Sequence, residues 1–237
     1  MRSFRADLHL HTCLSPCAEL DNSPRGLARA AQAAGLDLIA VTDHNACFNV
    51  PAVREAAAGR PVVLGGMEVT SREEVHLLAL FSDDRALFAF QETVHATLPD
   101  TGDERIFRDQ VMADADDGVT GFCRKLLWGA ADLSLEALVD RAHALGGLAL
   151  AAHVDREAFG LIGQLGFIPP DLPLDALEVR NPAARRIEGT NLPFFIASDA
   201  HRPEEVGTRV TTFTLEAPTL EELRLAFRGE GGRSLSY

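Results

Sequence analysis

The sequence predicts an α/β barrel in which parallel strands are covered by helices. Apolar strand-like runs alternate with amphipathic helical segments along most of the 237 residues, a pattern typical of a parallel sheet covered by helices. The strand runs are almost continuously apolar, as expected when both faces of a sheet are buried. About seven or eight strand–helix units are present, which favours closure into a barrel over an open sheet.

Each predicted strand is a short apolar run bounded by polar, glycine or proline residues. In chain order the strands cover residues 4–10, 36–42, 61–64, 75–81, 148–152, 176–179, 193–197 and 210–215. The predicted helices are recognised by their ends: Ser23 and Ser134 are typical N-caps, as is Thr219, and Gly35 follows the last residue of the first helix. The helices cover residues 23–34, 51–58, 134–145 and 219–227.

The alternation lapses between residues 83 and 132. Within this stretch, residues 100–117 hold an excess of acids over arginines. We therefore predict a rim insertion made of helices and an acidic loop. The sequence has no internal repeat, low-complexity tract or Pro/Ser-rich linker, so we expect a single domain over residues 1–237.

Composition and charge exclude several classes of protein. Hydrophobic residues make up 46% and charged residues 24%, which excludes a disordered or fibrous chain. The net charge of −13 repels phosphate backbones, so we expect no binding of long nucleic acid. No apolar run is long enough to cross a membrane, and the start lacks the apolar region of a signal peptide. Four cysteines are few for a secreted disulfide-rich protein, so we expect a cytoplasmic protein. Because no apolar run is long enough, we also expect that it binds no membrane.

Metal-ligating residue types concentrate at the ends of the predicted strands. In a parallel barrel the carboxyl ends of the strands meet at one face, where active sites are built. His9 and His11 are two residues apart, so both side chains leave the same face of their strand, and Asp199 and His201 repeat this spacing. A mixed His/Glu/Asp set suits Zn²⁺, Mn²⁺ or Fe²⁺. Eight candidates exceed one mononuclear site and predict two or three divalent ions: His9, His11, His44, Glu68, His76, His153, Asp199 and His201.

The remaining two histidines have a different setting. His95 and His143 lie on predicted helices, away from any strand end. We interpret both as structural or solvated residues.

Four motifs, in this order, resemble those of the PHP family, which is named for polymerase and histidinol phosphatase. They are DLHLHT from Asp7, TDHN from Thr42, GME from Gly66 and SDAH from Ser198. The resemblance implies a distorted TIM-like (β/α)7 barrel. It also implies a phosphoesterase, because relatives include histidinol-phosphate phosphatases, nucleotide phosphatases, small exonucleases and polymerase-associated domains.

The resemblance further implies three metal ions, with Glu68 bridging the first and the third. It assigns His9, His11, Glu68 and Asp199 to the first ion, His44 and His201 to the second, and His76 and His153 to the third. In many relatives an Asp or His shortly after the first motif completes the second site, but here neither occurs before Asp21. Glu19 is the chemically ordinary substitute and Cys17 the softer one, which would favour zinc or iron.

A metal cluster of this kind would lower the pKa of a bridging water and so provide hydroxide for attack on phosphorus. Arginines are expected to clamp the phosphate. Arg156 and Arg202 are closest in sequence to ligands, and Arg180 follows a strand, with surface ion pairing as the alternative role. Asp43 is expected to orient a ligand rather than bind metal.

We expect the substrate to be a small phosphomonoester or short nucleotide, in a pocket shaped by residues 81–132. Phe107, Phe122 and Trp128 would either stack a ring or pack in a small core. One alternative is an amidohydrolase-type metal hydrolase, but such sites commonly use a bridging lysine and Lys125 lies in the insertion. The other is a noncatalytic metal-binding or interaction module, against which the eight matching ligands argue. No sequence feature sets the oligomeric state.

Overall fold

The computed structural model, which describes residues 1–103, 105, 109–181 and 190–237, is built around a curved sheet. Its strands are β1 (Arg2–Leu10), β2 (Leu38–Val41), β3 (Val62–Thr70), β4 (His76–Phe81), β5 (Val111–Ala113), β6 (Val119–Phe122), β7 (Leu148–Ala151), β8 (Ala176–Glu178), β9 (Phe194–Phe195), β10 (Thr211–Leu215) and β11 (Ser234–Ser236). Within the described residues, nine of them form the main sheet in the order β11-β10-β1-β2-β3-β4-β7-β8-β9, and β5 pairs with β6 separately.

Helices cover the outer face of this sheet and one end of the barrel. They are α1 (Pro24–Ala33), α2 (Val50–Ala57), α3 (Asp84–His95), α4 (Leu135–Ala144), α5 (Leu161–Leu165) and α6 (Leu220–Arg228). The predicted caps are confirmed: the side chains of Ser23, Ser134 and Thr219 each accept a hydrogen bond from a backbone N–H in the first turn of their helix. In the part of the chain that is described, no helix has the length and apolarity needed to cross a membrane.

The prediction of an entirely parallel sheet is wrong. β1, β2 and β3 run parallel, as do β7, β8 and β9, but β4 is antiparallel to both of its neighbours and β10 is antiparallel to β1. Residues 71–75, which join β3 to β4, are too few for the helical crossover that a parallel pair needs. The start of β4, at His76, consequently lies opposite Thr70 at the end of β3.

The sheet closes into the predicted distorted barrel through contacts between β1 and the chain that follows β9. Leu10 forms an isolated parallel bridge with Ala200. The Thr211 hydroxyl donates to the carbonyl of Ile196 at 2.8 Å and accepts from its N–H at 2.9 Å. Irregular contacts of this type replace a continuous ladder at the seam, so the barrel is nearly closed rather than regular.

Two apolar cores lie on the two faces of the sheet. The outer core packs α1 to α4 against residues such as Ile39 and Leu177. The inner core fills the barrel with residues such as Leu78 and Leu150, and α6 seals one end by placing Phe227 against Phe213, with ring centroids 5.6 Å apart. Because apolar side chains fill this end, the polar groups of the barrel interior gather at the opposite one.

The rim insertion differs from the prediction of helices plus an acidic loop. α3 packs against β3 and β4 and so belongs to the barrel wall. The later part contains the β5–β6 hairpin, which hydrogen-bonds to the loop after β1 through Val111 N–H and the Cys13 carbonyl, at 3.1 Å. The acidic loop at its tip reaches α1, where Asp117 accepts from the N–H of Arg25 at 2.9 Å. A carboxylate at a helix N-terminus is favourably placed because the unpaired N–H groups there carry positive partial charge.

Candidate metal centre

The polar end of the barrel brings all eight predicted ligands together. Strands β1, β2, β7 and β9 lead into this end, β3 passes through it at Glu68, and β4 starts there at His76. The imidazole rings of the six histidines among them are neighbours of one another, with centroid separations from 4.2 Å for His11–His201 to 6.2 Å for His44–His201. Three groups of ligand atoms lie within 4.8 Å of one another: His9, His11, Glu68 and Asp199; His11, His44 and His201; and His44, Glu68 and His76.

A β-bulge in β1 turns the two histidines of the first motif towards the barrel interior. Ala6 and Leu8 belong to the inner core, whereas Leu10, which simple alternation would also place inside, packs in the outer core. The pairing of β1 with β2 shifts register between Asp7 and Leu10, and one extra residue at a bulge reverses which side chains face inward. His9 and His11 share a face because they are two residues apart, and this shift makes that face the inner one.

Glu68 is the centre of the cluster. Its Oε1 lies 2.7 Å from His76 Nδ1 and 3.1 Å from His153 Nε2. Its Oε2 lies 3.3 Å from both His9 Nε2 and His11 Nε2. This Oε2 atom is buried and lacks a hydrogen-bond partner, as is expected of a carboxylate oxygen arranged for a cation.

A glycine allows the strand carrying Glu68 to approach its neighbours closely. A Cβ atom on Gly66 would lie 2.6 Å from Leu80 Cδ2 and 2.9 Å from Thr42 Cγ2. A side chain there would force those of Leu80 and Thr42 to shift and would lie 3.0 Å from the Ala79 carbonyl oxygen. The glycine of the GME motif therefore serves to bring Glu68 into the cluster.

Asp199 closes the first group from the opposite side of the seam. Its Oδ1 lies 3.3 Å from the Nε2 atoms of both His9 and His11. Asp7 holds the backbone of this loop, accepting from the N–H of Ser198 and that of Gly207, each at 3.0 Å. The backbone at Asp199 has a φ of +56°, a left-handed conformation that non-glycine residues rarely adopt and that clusters at functional sites.

The electrostatics of the cluster indicate a site that needs positive charge. Burial alone would lower the pKa of His9, but Glu68, Glu178 and Asp199 outweigh it and raise that pKa well above 6.5. Burial likewise opposes the rise at His11, where the neighbouring carboxylates of Asp199 and Glu68 bring the pKa to about 9. The carboxylates thus hold protons on the histidines, and divalent cations would replace those protons. The donor set therefore fits metal ions.

The other histidines behave differently. Burial lowers the pKa of His44 well below its usual value and lowers that of His201 to about 4. Both rings are consequently neutral at pH 7, which is the form of imidazole that binds metal.

Buried partners fix which nitrogen of His9 and His11 faces the cluster. Glu178, on β8, lies 2.8 Å from His9 Nδ1, so Nε2 is directed at Glu68 and Asp199. Ser15 Oγ donates to Asp43 at 2.7 Å, so its lone pairs accept from His11 Nδ1 at 2.9 Å. Asp43 is therefore linked to His11 through Ser15, and its orienting role stays a prediction.

Glu178 is the main site residue that the sequence reasoning missed. The predicted strand 176–179 contains it, and a carboxylate inside an otherwise apolar strand was an available signal. Its Oε2 also accepts from the N–H of His153 at 3.2 Å. His153 has a strained φ of +27°, and the sequence pattern contains no signal for this conformation.

A solvent-open cavity of about 620 Å³ leads to the cluster. Arg156 and Arg180 line it, with Nη1 atoms 3.7 and 3.9 Å from Asp199 Oδ2. Cys17 and Arg202 also line it. Glu19 lies outside the lining and pairs with Arg202 instead, at 3.0 Å from Oε1 to Nε.

The residues interpreted as structural lie outside the cluster. His95 Nε2 donates to the Asn45 carbonyl at 2.8 Å, and His143 lies 2.8 Å from Asp175.

Lys125, the single lysine of the sequence, pairs with Asp100 at 2.9 Å. Phe107 lies outside the described residues.

Comparison with known families gives two matches. Residues 7–122 match the family model for the PHP domain, and residues 180–230 match the model described as PHP-associated. No curated protein sequence matches the chain significantly.

Solved structures share the fold. The lesion-specific endonuclease PfuEndoQ from Pyrococcus furiosus is 21% identical with a TM-score of 0.74, over 99% of this chain and 58% of its own. PsfC from Pseudomonas syringae is 16% identical with a TM-score of 0.63, over 100% and 92%. A protein from Bifidobacterium adolescentis assigned as a metal-dependent phosphoesterase is 20% identical with a TM-score of 0.58, over 86% and 91%. The chain thus spans under three fifths of the endonuclease and nearly all of the other two.

One of these structures corrects an expectation. Endonuclease Q, 21% identical with a TM-score of 0.74, is known in complex with a 27-mer duplex substrate that has an abasic lesion at the active site. The expectation that this chain binds no long nucleic acid is therefore wrong. It rested on net charge, which describes the whole surface, whereas a phosphate responds to the charges of the cleft it enters.

Proposed function

The chain belongs to the PHP family of metal-dependent phosphoesterases, and from this premise we propose that it hydrolyses phosphate esters at a cluster of three divalent cations. The observation that carries the proposal is the position of Glu68. One buried carboxylate lies within 3.3 Å of nitrogens from five histidines. Cations shared between the ligand groups would be coordinated by all of these donors. Its unpartnered Oε2 supports the same interpretation.

The first proposed ligand set, His9, His11, Glu68 and Asp199, is one of the three groups of donors. The other two sets are those that the family resemblance implies: His44 and His201 would hold the second ion, and Glu68, His76 and His153 would hold the third. In the structure His11 also joins His44 and His201, and His153 reaches the third set through its contact of 3.1 Å with Glu68 Oε1. Zinc, manganese and iron all accept such His/carboxylate sets.

For the second ion we propose Cys17 as the additional ligand instead of Glu19. The Cys17 side chain lines the cavity together with His44 and His201, although it is not one of the three residues in their 4.8 Å group. Glu19 is about half exposed and its carboxylate is engaged by Arg202. A thiolate in this position favours zinc or iron over manganese.

The chain's own groups then provide positioning. Bound cations lower the pKa of water and polarise the phosphoryl group. Glu178 and the Ser15–Asp43 pair keep the Nε2 atoms of His9 and His11 directed at the cluster. Arg156 and Arg180 present guanidinium groups on the cavity wall beside Asp199, where they would bind nonbridging phosphate oxygens.

The cavity places no narrow limit on the size of the ester. It is open to solvent, and a volume of about 620 Å³ is typical of pockets that hold whole small molecules. The substrates to be tested therefore include small phosphomonoesters and nucleic acid strands, as the duplex bound by endonuclease Q suggests.

An amidohydrolase reaction has less support. Lys125 is bound to Asp100 and to the Leu98 carbonyl, and no lysine lines the cavity in the part of the chain that the structure describes. The second alternative, a noncatalytic metal-binding or interaction module, would release no phosphate, so turnover of the substrate panel together with metal content tests it.

The first experiment measures zinc, manganese and iron per chain by plasma mass spectrometry, on protein purified without chelators or a histidine tag. We expect close to three ions, together with phosphate release or strand cleavage from the substrate panel. Glu68→Gln should lower metal content and activity together. Essentially no metal after reconstitution, or full activity in Glu68→Gln, would refute the proposal.

A further inference from the structure

A solvent-exposed tryptophan stands at the mouth of the cavity. Trp128 is 60% exposed, and its side chain lines the cavity that contains His44 and Arg156. Cavities that bind small molecules are lined mainly by hydrophobic and aromatic side chains, so an aromatic residue at this place is available to a ligand. Trp128 follows the β5–β6 hairpin and is not part of either apolar core.

The backbone that carries this tryptophan is fixed to the metal centre. The side-chain amide of Asn45 donates to the carbonyls of both neighbours of Trp128, at 3.0 Å to Leu127 and 2.8 Å to Gly129. Asn45 directly follows His44, and Leu127 is fully buried. The backbone that carries the indole is therefore held at a set place relative to the ligands, as the support of a recognition surface must be.

The charges that line the cavity differ from those of the whole protein. Three arginines line it and balance its three carboxylates, whereas the chain as a whole has a net charge of −13; the arginines are Arg156, Arg180 and Arg202, and the carboxylates are Glu68, Asp199 and Glu205. A ligand that uses both features combines an anionic group, for the arginines and cations, with a flat apolar ring, for the indole.

We propose that Trp128 is a stacking platform for an unpaired nucleobase, so that the substrate is a nucleoside phosphate, either free or in a single-stranded segment. This inference rests on the proposed phosphoesterase function. Every base offers a π face to an aromatic side chain, and such stacking tolerates any sequence. A base inside an undamaged duplex has both faces covered by its neighbours, so it must leave the stack before it contacts Trp128.

Fluorescence tests the stacking without relying on turnover, because Trp128 is the only tryptophan in the sequence. Thymidine 5′-monophosphate should quench the emission of the metal-loaded protein saturably. 2-Deoxyribose 5-phosphate, which lacks the base, should not.

Kinetics on matched substrates give the second readout. Trp128→Ala should lower kcat/KM about 5- to 150-fold for thymidine 5′-monophosphate or single-stranded oligothymidylate, with little change for 2-deoxyribose 5-phosphate. Trp128→Phe should retain most of the activity. Phe167→Ala is the matched control, because Phe167 is 59% exposed and lies outside the cavity lining. The free nucleotide and the strand, compared in the wild type, identify which source of the nucleoside phosphate is preferred.

The outcomes separate the two proposals. Hydrolysis of esters without quenching, or an equal loss for substrates with and without a base, would overturn the stacking role and leave the phosphoesterase standing. Saturable quenching with no hydrolysis of any ester would support stacking and refute the proposed function. Equal kcat/KM for oligothymidylate in single strands and in an undamaged duplex would also overturn the inference.

Discussion

Glu178 offers the sharpest test of how the barrel prepares its ligands. Its carboxylate is buried and lies 2.8 Å from His9 Nδ1, and it also accepts from the N–H of His153 at 3.2 Å. One side chain thus orients a ligand from β1 and the backbone of a ligand from the loop after β7. Replacing it disturbs two of the three proposed ion sites without removing any ligand.

The expected loss follows from this geometry. Hydrogen-bond partners of metal-bound histidines typically contribute 10- to 100-fold in metal affinity or activity, or about 1.4–2.7 kcal/mol. Glu178→Gln keeps the volume and one acceptor oxygen, so about 10-fold is expected. Glu178→Ala frees the His9 ring and leaves a cavity, so the loss should approach about 100-fold.

Competitive titration with a fluorescent chelator measures the affinity of each ion, and plasma mass spectrometry counts the ions retained. Glu157→Gln is the matched control, because Glu157 is an exposed acid in the loop after β7. Far-UV circular dichroism of the metal-free variants checks that the barrel still forms. Wild-type affinity for every ion in both Glu178 variants would refute the reasoning.

Further predictions concern single side chains around the site. Cobalt-substituted protein should show a sulfur-to-cobalt charge-transfer band that Cys17→Ser abolishes and Glu19→Gln leaves intact; absence of the band in the wild type, or its survival in Cys17→Ser, would contradict the assignment. Arg156→Ala and Arg180→Ala should each raise KM for a phosphomonoester more than they lower kcat, and steady-state kinetics showing KM unchanged in both would exclude a phosphate clamp. Burial lowers the pKa of His95, so the unfolded chain binds a proton more readily and the metal-free fold loses stability as pH falls below about 6.5. In His95→Gln the Tm of metal-free protein should fall less between about pH 7.5 and about pH 5.5, and an unchanged slope would contradict this origin.

Sequence patterns were sufficient for most of the fold because they reflect local physics. Ser23, Ser134 and Thr219 cap their helices as predicted, since a side-chain oxygen can satisfy a free N–H of the first turn. Whether neighbouring strands run parallel or antiparallel is not set by a local pattern of this kind. The short connection between β3 and β4 makes the pair antiparallel, and the apolar runs themselves do not indicate in which direction each strand runs.

The predicted ligands show the same division. Their residue types and their places near strand ends can be read from the chain, and so can the resemblance to the PHP family. The inward turn of His9 and His11 depends on a register shift against β2, which no period-2 pattern contains. The single domain over residues 1–237 and the site roles stay predictions.

The barrel class, the set of donors and the chemistry that such donors support can thus be predicted from residue type and local spacing. Which groups meet depends instead on the packing of the strands. It placed Glu178 against His9, turned Glu19 away to Arg202, and fixed Trp128 at the cavity mouth through the amide of Asn45. Each of these contacts joins segments far apart in the chain, and their distances are set by how the strands pack around the barrel.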